Sequence, residues 1–379
     1  MSRLTERQIA IRDMTREFVR KEVSPFAAQW DRDATVPLDT LRKIGALGLY
    51  GVCIPEQWGG SGADFTSYAL AIEELAYGDA GVCNMVSASN SYGFKIRDFG
   101  TLAQKDRFLT PVASGRELGC MLLTEPQAGS DAANLRTRAV RRGDHYVING
   151  TKSLITSGRS AAVAVVVAVT DPDAGKRGIS AFLTRTDQPG YHVLRVERKL
   201  GHRSNDTCQI QLENLEVPAE NLLGEPGRGL KVAFSGLDSG RIGVAAQAIR
   251  VARAAFDAAF AYARDREAFG KKLTEHQAIA FKLAEMATEI EVARQMCRHA
   301  AELKEEHAHC IKEASMSKLF ASQMCERVCS AAIQIHGGYG FINDYPVEKF
   351  YRDARVFQIY DGTNEVQKIL IFRELAAGH

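Results

Sequence analysis

Asp361 stands between Tyr360 and Gly362 and is followed by Thr363, Asn364 and Glu365. Upstream lie Gln334-Ile335-His336-Gly337-Gly338-Tyr339-Gly340 and a charged segment from Tyr345 to Arg355. A positioned carboxylate can take a proton from a substrate. Glycines let a ligand approach the main chain closely. The Gly362-Thr363-Asn364 sequence reads as a helix N-terminus, which favours anions such as a pyrophosphate. Together these residues suit a place where a base meets a phosphate-bearing cofactor. They equally suit a tight Gly-Gly connection and a simple Asp-Gly turn.

Other stretches carry similar chemistry. Leu122-Leu123-Thr124-Glu125-Pro126-Gln127-Ala128-Gly129-Ser130-Asp131 offers hydroxyls, main-chain N–H groups and a glycine. Such a loop can hydrogen-bond a flat polar ring or a pyrophosphate, or merely turn at the surface. Leu237-Asp238-Ser239-Gly240-Arg241 opens a long helical run, with Asp238 and Arg241 as ligand groups or a helix-terminal pair. Lys95 and Arg97 flank Ile96 ahead of Asp98, and either pair with that acid or face a polar ligand.

The elements that must position these residues change period along the chain. Helical spacing runs through 4–50, broken around Pro25 and Pro37, and resumes over 64–77 and 82–113. From about 121, short β-branched runs appear at 146–148, 154–156, 162–169, 179–184, 191–196 and 208–212. Gly143-Asp144 and Asn149-Gly150 read as turn pairs between them. Long amphipathic runs return at 230–264, 275–304 and 310–336 and read as a four-helix bundle. The expected domains are an all-helical 1–120, a β domain 121–229 and a helical 230–379.

Composition sets bounds. The 379 residues are 45% hydrophobic and 25% charged, ordinary for a globular protein. A net charge of +2 gives no reason to expect nucleic acid or an anionic membrane as partner. Eight scattered cysteines without a C-x-x-C read as buried thiols in a reducing compartment, with no metal site. No apolar run spans a bilayer, and the start at Thr5-Glu6-Arg7-Gln8 carries no signal-like core, so a cytoplasmic location is expected.

Read as units, these stretches resemble the FAD-dependent acyl-CoA dehydrogenases. The C-terminal run is similar to that family's I-x-G-G-x-G followed by Y-E-G-T, with Asp361 where the family usually has Glu. Leu122 to Asp131 resembles its middle-domain signature, and Lys152 to Gly158 its K-x-W-I-T-N-G, with Leu154 in place of Trp. Arg266-Glu267-Ala268-Phe269-Gly270 resembles its R-x-x-F-G. The resemblance covers essentially the whole chain.

It implies a three-domain fold: an all-α N-terminal domain, a β-barrel-like middle domain and a C-terminal four-helix bundle. It implies FAD held by Leu123, Thr124, Ser130, Leu154, Thr156, Thr363 and Glu365. Arg266, Phe269, Gln277, Gln334 and Gly338 would reach the FAD of a neighbouring subunit, in a homo-oligomer expected to be a tetramer. The acyl-CoA would lie along Ser130, Phe234, Leu237, Asp238, Arg241, Tyr360 and Gly362, and an electron-transferring flavoprotein would take the electrons. Asp361 would be the base, because the family's alternative position for it is Gly240 here. Asp at this place is similar to the cyclic acyl-CoA dehydrogenases acting on cyclohexanecarboxyl-CoA or cyclohexenecarboxyl-CoA. A short- or branched-chain dehydrogenase, a nitroalkane-oxidase-like enzyme and a redox-neutral flavoenzyme stay open. Lys95 and Arg97 replace a Pro and an apolar residue usual near the acyl pocket.

Overall fold

Caps and prolines cut the first hundred residues into helices. Thr5 starts α1 (Glu6–Glu22) with a capping box: its hydroxyl accepts from the Gln8 N–H, and the Gln8 side chain accepts from the Thr5 N–H. Helices α2 (Ala27–Asp33) and α3 (Leu38–Ala46) follow the breaks expected at Pro25 and Pro37. Asp64 caps α4 (Phe65–Gly78) and Asp79 caps α5 (Ala80–Phe99). The run expected over 82–113 is not one helix. It stops at Gly100 and continues as α6 (Leu102–Gln104), a π turn over Lys105–Leu109 and α7 (Thr110–Ala113). This computed structural model describes residues 4–378.

The middle of the chain is a curled seven-stranded sheet. Its strands are β1 (Gly119–Leu122), β2 (Arg138–Arg142), β3 (His145–Thr156), β4 (Val163–Val169), β5 (Ile179–Arg185), β6 (Tyr191–Val196) and β7 (Thr207–Pro218). They run in the order β1-β4-β2-β3-β7-β6, with β5 paired to β4. Gly143-Asp144 joins β2 to β3 as a hairpin, as expected. Asn149-Gly150 makes no turn: β3 runs through it with a register shift against β7. Gly150 permits this because an added Cβ would stand 2.7 Å from Thr137 Cα.

One buried ion pair ties this sheet to the loop after β1. Lys152 Nζ donates to Glu125 Oε1 at 2.9 Å, to Leu123 O at 3.0 Å and to Val167 O at 2.7 Å. Glu125 also accepts from the Arg136 and Thr137 N–H groups, at 2.7 and 3.0 Å. Burial pushes the Lys152 ammonium down to about 8, against the pull of Glu125. Lys152→Met leaves Glu125 charged, buried and short of its cation. It is expected to destabilise the fold by about 3–5 kcal/mol, read as a lower Tm, and to loosen residues 123–125.

The C-terminal part comprises α8 (Gly229–Phe234), α9 (Leu237–Asp265), α10 (Gln277–Glu305), α11 (Ile311–His336), α12 (Val347–Ala354) and α13 (Asn364–Ala376). The run read over 230–264 is split at Ser235-Gly236, where Gly236 takes φ 69°. Helices α9, α10, α11 and α13 form the bundle, and α4 packs on α9. The two helical parts and the sheet meet at a buried cluster. Lys349 Nζ pairs with Asp79 at 3.0 Å and Asp353 at 2.6 Å, Asp353 accepts from the His202 N–H at 2.6 Å, and Ser204 donates to Asp79. All eight cysteines are free and buried. Among the described residues no His, Cys, Asp and Glu cluster could hold a metal, and no helix is long and apolar enough to cross a membrane.

Candidate active site

Asp361 sits on the loop between α12 and α13 in the left-handed region, φ 52°, followed by Gly362 at 85°. A non-glycine residue there is held by its surroundings. Lys318 on α11 donates to Gly362 O at 2.9 Å and to Asn364 Oδ1 at 3.0 Å. Gln367 Nε2 donates to Asp361 O at 3.2 Å and to Gly362 O at 2.9 Å. Thr363 caps α13, its hydroxyl accepting from the Val366 N–H at 3.4 Å. On the other side Tyr360 donates to Gln247 Oε1 at 3.3 Å.

The Asp361 carboxylate comes to 3.5 Å from where a Cβ would stand on Gly240. The side chain is open to a crevice that itself lies deep in the protein, so burial pushes its pKa above the usual carboxylate range. Lys95, Lys318 and Arg241 pull the other way without forming an ion pair to it. Arg241 is 6% exposed, and its Nε has no hydrogen-bond partner. Such an orphaned donor suits a ligand. The helix-terminal pair of Asp238 with Arg241 does not form: Asp238 binds Lys304 of α10 at 2.7 Å. Leu237 is half-buried beside it, and Phe234, at the end of α8, is 44% exposed.

Two loops of the sheet form a second wall, which touches α5 through Thr156 and Asn84. A bulge between Lys152 and Ile155 puts Leu154 at φ 58° and leaves it 63% exposed. A β-branched or bulky residue in this conformation is a genuine outlier. Thr156 ends β3, and its Oγ1 lies 3.5 Å from Asn84 Nδ2 of α5. Leu123 and Thr124 are half-buried, Ser130 is exposed, and a Cβ on Gly129 would meet nothing within 4 Å. Threonine hydroxyls, open main chain and an unpacked aliphatic side chain fit a flat polar ring lying against this wall. Glu365 is exposed in the first turn of α13.

The remaining predicted residues lie elsewhere. Arg266 follows α9, about 37 Å along the helix axis from Arg241. Phe269 is 96% exposed at the tip of the hairpin β8 (Glu267–Ala268) to β9 (Lys271–Lys272). Its φ of 52°, with Gly270 at 79°, matches a type I′ turn. Arg266 shares a groove with Gly337, Gly338 and Tyr339, whereas Gln334 lines a second groove with Arg327 and Gln358. Gln277 is exposed at the start of α10. Arg266 and Arg241 thus stand at opposite ends of α9, so the predicted residues do not all gather at one place in a single chain.

Sequence reading missed Lys318, Gln367, Gln247 and Asn84. Lys318 left a signal: it interrupts a buried stripe of Ala314, Ala321, Cys325 and Val328 on α11. It also divided Lys95 and Arg97 incompletely. Arg97 does pair with Asp98 at 2.7 Å, but Lys95 is buried away from both.

Three family models match successive parts of the chain. Residues 5–116, 120–215 and 227–376 match the N-terminal, middle and C-terminal domains of acyl-CoA dehydrogenase. An acyl-CoA dehydrogenase of Bacillus subtilis is 44% identical over 99% of both chains. The butyryl-CoA dehydrogenase structure from Megasphaera elsdenii superposes with a TM-score of 0.97 at 41% identity, over 99% of this chain and all of that one. A chain in the structure of the electron transferring flavoprotein of Acidaminococcus fermentans gives 0.98 at 44% identity, over 99% of each. Matched from end to end in sequence and in fold, the chain belongs to the acyl-CoA dehydrogenase family and is an FAD-dependent oxidoreductase.

Proposed function

We propose that Asp361 is the base that removes the α-proton of an acyl-CoA thioester, and that the acyl group is cyclic or otherwise bulky. Cyclohexanecarboxyl-CoA and cyclohexenecarboxyl-CoA are the proposed substrates. The observation that carries the base assignment is the carboxylate held in a left-handed loop beside Gly240, among three cations that do not neutralise it by contact.

The thioester loses one proton and one hydride and becomes an enoyl thioester. FAD, when bound, accepts the β-hydrogen as hydride. Asp361 takes the α-proton on a carboxylate oxygen. Its own N–H, which donates to no acceptor among the described residues, is free to bond the thioester oxygen and stabilise the developing enolate. Arg241 and Leu237 line the acyl-pantetheine path, with Phe234, Asp238, Ser130, Tyr360 and Gly362 along it. Leu123, Thr124, Ser130, Leu154, Thr156, Thr363 and Glu365 hold the cofactor on the other wall.

The ring assignment rests on reach. Asp is shorter than Glu by about 1.5 Å, one carbon–carbon bond. A shortened base leaves room for a ring at the α-carbon. The likeness to butyryl-CoA dehydrogenase favours a second reading, a short straight chain. Anaerobic mixing with straight-chain, branched, cyclohexanecarboxyl and cyclohexenecarboxyl thioesters, followed by flavin absorbance, separates the two. Fast bleaching by the ring thioesters is expected. Bleaching by straight chains alone removes the ring, and bleaching by none removes acyl-CoA chemistry in favour of nitroalkane or redox-neutral reactions.

Arg266, Phe269, Gln277, Gln334 and Gly338 belong to the FAD site of a neighbouring copy in this proposal, within a homotetramer. The distance along α9 between Arg241 and Arg266 with its groove supports it. Phe269→Ala and Arg266→Ala are then expected to lose FAD on dilution and to shift to smaller species in sedimentation, with helix content unchanged. The likeness to the Acidaminococcus chain supports an electron-transferring flavoprotein as acceptor.

A further inference from the structure

Helix α5 is buried at every position from Ala80 to Ile96 except Asn84, Ala88 and Ser91. Those three are spaced by four and then three residues, so they share one helix face. Asn84 touches Thr156 at 3.5 Å, which puts this face on the crevice. Lys95 is the next position of the same stripe. It is 1% exposed, and its ammonium turns back one helical turn to donate to Ser91 O at 3.2 Å and Ser91 Oγ at 3.1 Å. An ammonium has three donors, so one is left over.

No acid takes it. Asp98 is held by Arg97, and Lys95 forms no ion pair among the described residues. Burial pulls its pKa down to about 8, and the carboxylate that most sustains its charge is Asp361. In turn Lys95 is the cation that acts most strongly on Asp361. Lys95 and Asp361 are thus within electrostatic reach of each other without an ion pair, and the substrate's reacting carbons belong beside Asp361.

A buried cation without a counter-ion is costly, and a methionine would fill the same length without that penalty. Packing therefore does not account for the ammonium, whereas a ligand oxygen does. Resting on the acyl-CoA dehydrogenase reading of this crevice, we propose that Lys95, together with Ser91, recognises an oxygen on the acyl group beyond its β-carbon. The substrate class is then an oxygen-bearing acyl thioester, with a hydroxyl or a carboxylate as the recognised group.

Matched sets test it: pentanoyl-, 5-hydroxypentanoyl- and glutaryl-CoA, and cyclohexanecarboxyl-CoA with its 4-hydroxy and 4-carboxy derivatives. Calorimetric binding is measured on the FAD-loaded Asp361→Asn protein, where turnover does not interfere, and kcat and KM on the protein with Asp361 intact. Each is repeated with Lys95→Met. At least one oxygen-bearing member is expected to bind about 10- to 100-fold tighter than its unsubstituted parent, the worth of a hydrogen bond to a charged group. Lys95→Met is expected to abolish that preference through KM and to leave the parents' affinity within about twofold. A preference for the hydroxyl arm or the carboxylate arm identifies the group.

Equal binding of parents and derivatives overturns the proposal. So does a Lys95→Met variant that slows every thioester equally, since the lysine would then act only on Asp361. If Lys95→Met does not retain FAD, the comparison of parents and derivatives on the unaltered protein decides alone. Oxidation of the parents without any preference removes only this inference. Oxidation of no thioester removes the dehydrogenase reading on which it rests.

Discussion

Asp361→Asn is expected to lower the rate of flavin reduction by about 10²- to 10⁴-fold, the usual contribution of a positioned general base. The substitution keeps the shape of the side chain and removes only its ability to take a proton. The loop should hold, because Lys318 and Gln367 donate to its main chain, and Lys318 also to Asn364, rather than to the carboxylate. FAD content and Tm are therefore expected to match the unaltered protein. The pH dependence has a definite sign. A base works when ionised, and burial places the Asp361 pKa above the usual carboxylate range. kcat/KM is expected to fall as pH drops through that raised value. Stopped-flow rates across pH check both points, since the Asn variant should lose this acid limb along with the rate.

Asp361→Glu is expected to invert acyl preference. The longer side chain extends about 1.5 Å further into the crevice. A displacement near 1 Å costs on the order of 100-fold in rate when reacting atoms are aligned. Ring thioesters should lose about that factor in kcat/KM, while short straight chains gain. Gly240 is the reason the crevice can accept the extra methylene, since it has no Cβ at the point 3.5 Å from the Asp361 carboxylate where one would stand. Parallel kcat/KM measurements on cyclohexanecarboxyl-CoA and butyryl-CoA decide. An unchanged preference would remove the ring from the proposed function.

Much of the architecture was legible because period carries it. The switch from helical spacing to β-branched runs and back matches the sheet between β1 and β7, flanked by helices. β1 and β2 escaped, since Gly-Cys-Met-Leu has no β-branched residue and Arg-Ala-Val-Arg-Arg reads as solvated. Asn149-Gly150 carried a turn signal, yet tertiary pairing with β7 kept the strand running. The motif residues Leu154, Phe269 and Asp361 are among the non-glycine residues in left-handed conformations, a property that no residue type announces for leucine or phenylalanine. The buried cations were the least legible. Apart from Lys318, with its place in the α11 stripe, Lys95, Lys152 and Lys349 carry no mark in sequence that separates a buried lysine from a solvated one, and burial and partners distinguish them.

The most direct measurement of the central claim separates proton removal from redox chemistry. The FAD-loaded protein is incubated in D₂O with an acyl-CoA analogue whose β-position is sulfur and carries no hydrogen to transfer, and α-deuteration is followed by NMR. Exchange is expected in the unaltered protein and its loss in Asp361→Asn, with analogue binding retained in both. Exchange that persists undiminished in Asp361→Asn would contradict the assignment of Asp361 as the base.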